Sequence, residues 1–298
     1  MMTLTMQVPE LHVGRGTQAG PLTVFPVWSS DPEVTSVAMG LSSHVDVTER
    51  AGSPVVGELI VRNTGITTAL LVEGELLEGG WQHRALRHDL ILNPGSTMVA
   101  PVVCVEAGRW SGDGRGHARH ARRASGNVRA AMRSPDNHAR QGRVWSQVSA
   151  YDRSMGASQT SSYVDHLDRL QNSTDRPRTP ILDGQRGVIV GLAGQPVLLE
   201  VFPSHSCLAT ALPDLLASLM LDALASGAAA EATPGRRARR LVERLDARHA
   251  HHASALDAGA GQTFVLDTPY AALRCVTLDE GWAHLTAFNR RHPLVEVS

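Results

Sequence analysis

Between residues 44 and 106 the chain is a series of short apolar runs broken by turn residues, and this most constrains its fold. Residues 44–48 alternate as His-Val-Asp-Val-Thr, 55–61 are strand-like, and Asn63-Thr64-Gly65 is a turn before a further run over 67–72. Two more strands are expected over 81–92 and 98–106, joined across Asn93-Pro94-Gly95. Five or six consecutive strands with short turns predict an antiparallel sheet, a sandwich or a half-barrel, with Asn63-Thr64-Gly65 closing a hairpin.

The flanks are mixed. Asp31-Pro32-Glu33 supplies an N-cap, a first-position proline and a first-turn acid, predicting a short helix over 32–40 after a β-like run at 22–25. Val144, Val148 and Tyr151 recur at helical spacing with Trp145 beside them, and Tyr163, Val164, Leu167 and Leu170 mark a second helix. Residues 187–193 and 196–202 read as a hairpin buried on both faces. A helix over 212–226, with Pro213 near its start and Gly227 past its end, a helix over 234–256 capped by Thr233, and strands at 263–267, 273–278 and 282–288 complete the pattern. The expected class is α+β: an N-terminal antiparallel β lobe (12–110), an arginine-rich insertion and helical connector (111–180), and a C-terminal α+β lobe (181–298), forming one compact unit.

Composition excludes several chemistries. All 28 basic residues are arginine, so no lysine can form a Schiff base, serve a phosphate loop or act as a general base. The formal net charge of −1 gives no global attraction to nucleic acid. Cys104, Cys207 and Cys275 form no Cys-x-x-Cys pair, which indicates neither a disulfide scaffold nor a thiolate metal site. No unbroken apolar run reaches the roughly 18 to 20 residues of a membrane span, and no signal peptide is evident; a cytoplasmic protein is expected. Neither a cofactor nor a specific nucleic-acid partner is indicated.

The candidate site lies within residues 74–110. Glu75 and Glu78 precede Gly79-Gly80, and Gln82 and Arg84 then share one face of the next strand. On the partner strand Val102, Cys104 and Glu106 share a face, and Ala107-Gly108 leads into Arg109 and Trp110. Pairing across residues 93–95 would bring Gln82 and Arg84 opposite Cys104 to Glu106. One reading is an anion pocket, with Gln82, Arg84, Arg109 and Trp110 binding the ligand and Glu78 or Glu106 as general base. The other is a structural lock of Glu106–Arg84 and Glu78–Arg109 ion pairs with Trp110 as a lid.

Other polar clusters have plainer readings. Residues 111–143, with Arg115, Arg119, Arg122, Arg123, Arg129, Arg133, Arg140 and Arg143, read as a solvated loop or as a lid for phosphates. His117 with His120, and His249 with His251 and His252, read as surface histidines. Arg236, Arg237, Arg239 and Arg240 occupy the helix end that disfavours cations, a cost met by solvent or by a bound anion. Cys104 reads as a small buried hydrophobe; were it a nucleophile, one of His83 and His88, which fall on opposite strand faces, could supply its base.

The sequence Gly74-Glu75, then Gly79-Gly80-Trp81-Gln82-His83-Arg84, then Cys104-Val105-Glu106-Ala107-Gly108-Arg109-Trp110 resembles the ARPP domain family, named for association with ADP-ribosylglycohydrolases and rhodanese-phosphatase proteins. Residues 141–145, 158–162, 187–202 and 218–223 are similar to later blocks of that family, so the resemblance covers about residues 12–290. The chain departs from it in having Trp81 where lysine is usual and His83 where asparagine is usual. The family's name points to neighbours acting on ADP-ribose or phosphorylated metabolites. The resemblance therefore implies a nucleotide-like anionic ligand, an ADP-ribose or NAD derivative, bound or processed at the Arg/Glu/Trp cluster. The alternative is a non-catalytic scaffold that docks a protein partner.

Overall fold

The computed structural model describes residues 9–52, 55–110, 116–172, 177–245, 251–253, 255–279 and 281–293. The N-terminal strands β1 (Leu11–Val13), β2 (Thr17–Ala19) and β3 (Leu22–Ser29) belong to a nine-stranded sheet otherwise built from the C-terminal third. That sheet runs β1-β3-β13-β14-β18-β17-β16-β15, with β2 on β3. Its later strands are β13 (Gly187–Leu192), β14 (Gln195–Val201), β15 (His251–His252), β16 (Gln262–Asp267), β17 (Ala271–Leu278) and β18 (Gly281–Asn289). The β13–β14 hairpin is central and buried except at its turn, as its apolar sequence requires. Because β3 pairs with β13, hydrogen bonding crosses both expected lobe boundaries.

The middle of the chain closes into a barrel of β11-β6-β5-β12-β8-β9. These strands are β5 (Val45–Thr48), β6 (Glu58–Asn63), β8 (Glu75–Gly79), β9 (Arg84–Leu86), β11 (Thr97–Cys104) and β12 (Gly116–Arg123). Three strands, β4 (Val37–Met39), β7 (Thr68–Leu71) and β10 (Leu90–Leu92), form a separate small sheet. The expected hairpin at residues 63–65 is therefore not formed, since β6 pairs with β5 and β11 while β7 pairs with β4 and β10. Buried Asn63 redirects the chain instead: its Nδ2 donates to the Thr67 and Leu92 carbonyls and its Oδ1 accepts from the Gly65 N–H. The expected strand over 81–92 is likewise broken at residues 87–89, which lets β9 serve the barrel and β10 the small sheet.

The helix expected over 32–40 is also absent. Asp31 Oδ2 accepts from Trp282 Nε1 at 2.6 Å rather than capping a helix, and Val37–Met39 pairs in parallel with β7. Tertiary pairing outweighs a short local helix signal there.

The largest correction concerns residues 111–143. From Gly116 on they are ordered core: β12 closes the barrel, and α1 (Gly126–Met132) and the start of α2 (Asn137–Met155) follow. Of the eight arginines read as solvated, Arg119, Arg122, Arg123, Arg129, Arg133 and Arg140 are buried. Carboxylates distant in sequence receive them: Glu75 takes Arg119, Glu78 takes Arg122, Glu200 takes Arg123 and Arg129, and Glu73 takes Arg129 and Arg133. Arg115 lies outside the described residues.

Helix α4 (His205–Ser226) packs one face of the large sheet against α1, α2, α3 (Tyr163–Gln171) and the barrel. Its stripe of Leu208, Leu212, Leu215, Leu216 and Leu219 is buried, each side chain contributing about 1.5–3 kcal/mol by burial. The helix starts upstream of the expected position, capped by the Ser204 hydroxyl, so Pro213 is interior; it ends at Gly227 as expected, with φ of 60°. Its 22 residues contain a window of mean hydropathy 1.6, long and apolar enough to cross a membrane, and 72% of that window is buried within the protein. Ser218 and Asp222 interrupt the apolar run and hide this property from a search for unbroken stretches.

Helix α5 (Gly235–Glu243) covers the opposite face of the sheet, and it is shorter than expected because the chain returns to β structure at His251. Its N-cap is Pro234, not Thr233. Trp145 stands 37% exposed on α2, outside the buried side formed by Val144, Val148 and Tyr151.

Candidate functional site at the barrel mouth

Cross-strand register places the two motif segments together. Arg84 lies opposite Cys104, and Leu86 lies opposite Val102, as counting outward from residues 93–95 predicts. Leu77 pairs with Arg84, and Val47 with His117, so these side chains continue the face occupied by the apolar interior of Val47, Leu77, Leu86 and Val102. Toward one end of the barrel the lining thus changes from aliphatic to polar: Arg84, Cys104, His117, Glu49 and Gln82, all buried.

Gln82 organises this end. Its Oε1 accepts from Arg84 Nη1 at 3.1 Å and from Cys104 Sγ at 2.9 Å. Glu49 Oε1 lies 3.1 Å from His117 Nε2 and accepts from the Trp81 N–H at 3.2 Å. Two opposite charges stay incompletely satisfied: Arg84 Nε and Nη2 have no acceptor, and Glu49 Oε2 has no donor. Above them Trp110, 46% exposed, lies with its ring centroid 5.5 Å from that of Trp81 and 5.7 Å from the Arg84 guanidinium carbon.

Gly79 and Gly80 make the turn possible. Both have positive φ, 108° and 53°, and a Cβ on Gly80 would sit 2.2 Å from His117 Nε2.

The other expected site residues are engaged differently. Glu106 and Arg109 bind each other: Arg109 Nε lies 3.0 Å from each carboxylate oxygen and Nη2 lies 2.8 Å from Oε2, while Nη1 donates to the Gly80 carbonyl. Thr160 Oγ1 and the His83 N–H also donate to Glu106. Glu78 is held by Arg122, which also reaches Asp168. The ion pairs are therefore Glu106–Arg109 and Glu78–Arg122, not the expected Glu106–Arg84 and Glu78–Arg109.

Burial dominates the titration behaviour. It pushes the Cys104 thiol up to about 11 despite the Arg84 cation, leaving no thiolate near neutral pH. Burial likewise holds the His117 imidazole below its ordinary value against the pull of Glu49, and His83 is lowered for the same reason. Burial works to raise Glu106, but hydrogen bonds from Arg109, Thr160 and the His83 N–H leave its carboxyl below the usual range. A carboxylate so stabilised is a weak proton acceptor.

Glu49 and His117 are the residues that sequence reasoning missed. For Glu49 the signal was the alternation of Val45 and Val47, carried one position past the end of β5; His117 was read as a surface residue because no sequence cue places residues 116–123 inside a barrel. His88 contacts the Asp257 carbonyl, away from Cys104, while His120, His251 and His252 are exposed and His249 lies outside the described residues. Among the described residues, no group of three or more His, Cys, Asp or Glu side chains is arranged to hold a metal ion. A groove of about 520 Å³ lies elsewhere, between residues 13–16 and the start of α5, and includes Arg239 but no motif residue.

No curated protein and no solved structure matches the chain. The family model ARPP-1, the ARG and Rhodanese-Phosphatase-superfamily-associated Protein domain, matches residues 10–288, which takes in every sheet and helix described above but for the last residue of β18. The chain belongs to the ARPP-1 family.

Proposed function

We propose that the protein binds a nucleotide-like anionic metabolite, of the ADP-ribose or NAD class, at the barrel mouth. The observation that carries this reading is Arg84: wholly buried, with two N–H groups lacking an acceptor, close to a Glu49 oxygen lacking a donor. Each unsatisfied buried polar atom costs about 1–3 kcal/mol. An anionic oxygen on Arg84 and a hydroxyl or amide donor on Glu49 would remove both costs. The exposed Trp110 beside Arg84 offers a face for a planar ring. The ligand chemistry also agrees with the family's name.

The reading is one of binding. Glu78 and Glu106 are engaged by arginines, so neither is assigned a proton transfer. A second reading, a non-catalytic scaffold, is favoured by that same closure of ion pairs around the motif.

A thermal-shift titration with ADP-ribose, NAD, AMP and inorganic phosphate, run on the wild type and on Arg84→Met, separates the two. The binding reading expects a saturable rise in the wild-type midpoint with ADP-ribose or NAD and none in a folded Arg84→Met. A wild type unmoved by all four ligands overturns it and leaves the scaffold.

A further inference from the structure

Behind the barrel, where the turn between α1 and α2 meets β17, arginines outnumber the carboxylates that could neutralise them. Glu73 is the hub: it receives Arg129, Arg133 and Arg274. Glu200 receives Arg123 and Arg129, and Asp89 is occupied by His284 at 2.7 Å and by the Glu73 N–H. Arg87 and Arg140 add two more cations to this region, with the Asp136 carboxylate acting on Arg140. Arg274 donates to the Arg87 carbonyl at 3.1 Å, and Arg140 Nε donates to the Ser134 carbonyl at 3.0 Å.

Several donors here point at nothing. Arg133 is 8% exposed and Ser134 only 2%, yet Arg133 Nη2 and Ser134 Oγ have no partner; Arg87 Nε and Arg290 Nε are likewise buried and unpartnered. Beside Arg133 and Arg290 opens a cleft of about 280 Å³, lined also by Pro135 and Arg274, with Asp267 as its acidic residue; Arg87 and Ser134 are not in its lining. Asp267 is already taken by Arg290 Nη2 at 2.6 Å.

Electrostatics point the same way. Burial pushes the Arg87 guanidinium down to about 10, and its charged neighbours Arg140 and Arg274 add repulsion that no carboxylate offsets. Burial also lowers Arg133 to about 10, with Glu73 opposing and Arg274 and Arg129 adding to the effect. Water could satisfy unused donors, but it would leave the repulsion in place.

We propose that this cleft is a second binding site, separate from the barrel mouth, for a phosphoryl group or similar tetrahedral oxyanion. Arg133, Arg274 and Arg290 line the cleft, and Arg133 Nη2 and Arg290 Nε lack acceptors, an arrangement suited to a ligand with several acceptor oxygens. A carboxylate offers two, whereas a phosphate or pyrophosphate offers more and carries the charge to match. In a chain without lysine, such a site has to be built from arginine.

Because Arg84 at the barrel mouth would also take a pyrophosphate, calorimetric titration of the full chain with sodium pyrophosphate is run on Arg84→Met, alone and combined with Arg133→Met or Arg290→Met, with an unfolding midpoint measured for each unliganded protein. Saturable uptake by Arg84→Met is expected. Adding Arg133→Met should weaken it roughly tenfold or more, as loss of a charged hydrogen bond implies. Adding Arg290→Met should weaken uptake several-fold and decides the matter should the protein with Arg133→Met not fold. No uptake by Arg84→Met, or full affinity in a folded protein that also carries Arg133→Met or Arg290→Met, would overturn the proposal.

Discussion

Arg109 grips Glu106 through its Nε and Nη2, at 3.0 and 2.8 Å, although the two residues stand only three positions apart at a strand end. The pair ties the turn after β11 to the Gly80 carbonyl and, through Thr160, to the segment before α3. Glu106→Gln removes the charge at the centre of four donors but keeps the shape. Because Arg109 retains a quarter of its exposure, the cost should be below that of a fully buried pair, on the order of 1–3 kcal/mol. Urea unfolding at pH 7 measures it. The Glu106 pKa is depressed in the folded state, so its contribution is present above the unfolded carboxyl value and is lost as pH falls through the folded one. The gap between wild type and Glu106→Gln should therefore narrow in acid.

Asp222 has the opposite sign. It lies on α4 facing the start of α1, where Tyr151 Oη and the Asn127 N–H donate to it, and burial pushes its carboxyl up to about 6. The folded state thus holds a proton that the unfolded state has released between about pH 4 and 6. Stability should fall as pH rises through that window, and Asp222→Asn should remove this part of the slope. Unfolding midpoints collected from pH 4 to 7.5 for both proteins check it; parallel profiles would refute the assignment.

The three cysteines should be inert in the native protein. Cys104, Cys207 and Cys275 are all buried; burial raises Cys104 to about 11, lifts Cys275 beyond the ordinary thiol range and raises Cys207. Iodoacetamide at pH 8 should label none of them over a period in which urea-unfolded chain is labelled at all three, as read by intact mass. Rapid native labelling of Cys104 would show that the barrel mouth opens.

Much of the local structure was legible. The β13–β14 hairpin, the closing strands, the buried faces of α2 and α3 and the C-terminal glycine of α4 all follow from period and capping, which depend on near neighbours in sequence. So did the register that sets Arg84 opposite Cys104, because a strong turn at residues 93–95 lies between their strands.

What the sequence by itself determined is the α+β class, the short antiparallel strands, the exclusion of lysine chemistry and the family's motif. Tertiary structure alone decided which charges meet. Arg122 finds Glu78 and Arg123 finds Glu200 across 44 and 77 residues, and no local pattern records such a pairing. For that reason an arginine run that resembles a solvated loop becomes the strand closing the barrel. For the same reason Glu106 is spent on Arg109, while Arg84, on the strand paired with β11, is left with N–H groups to offer.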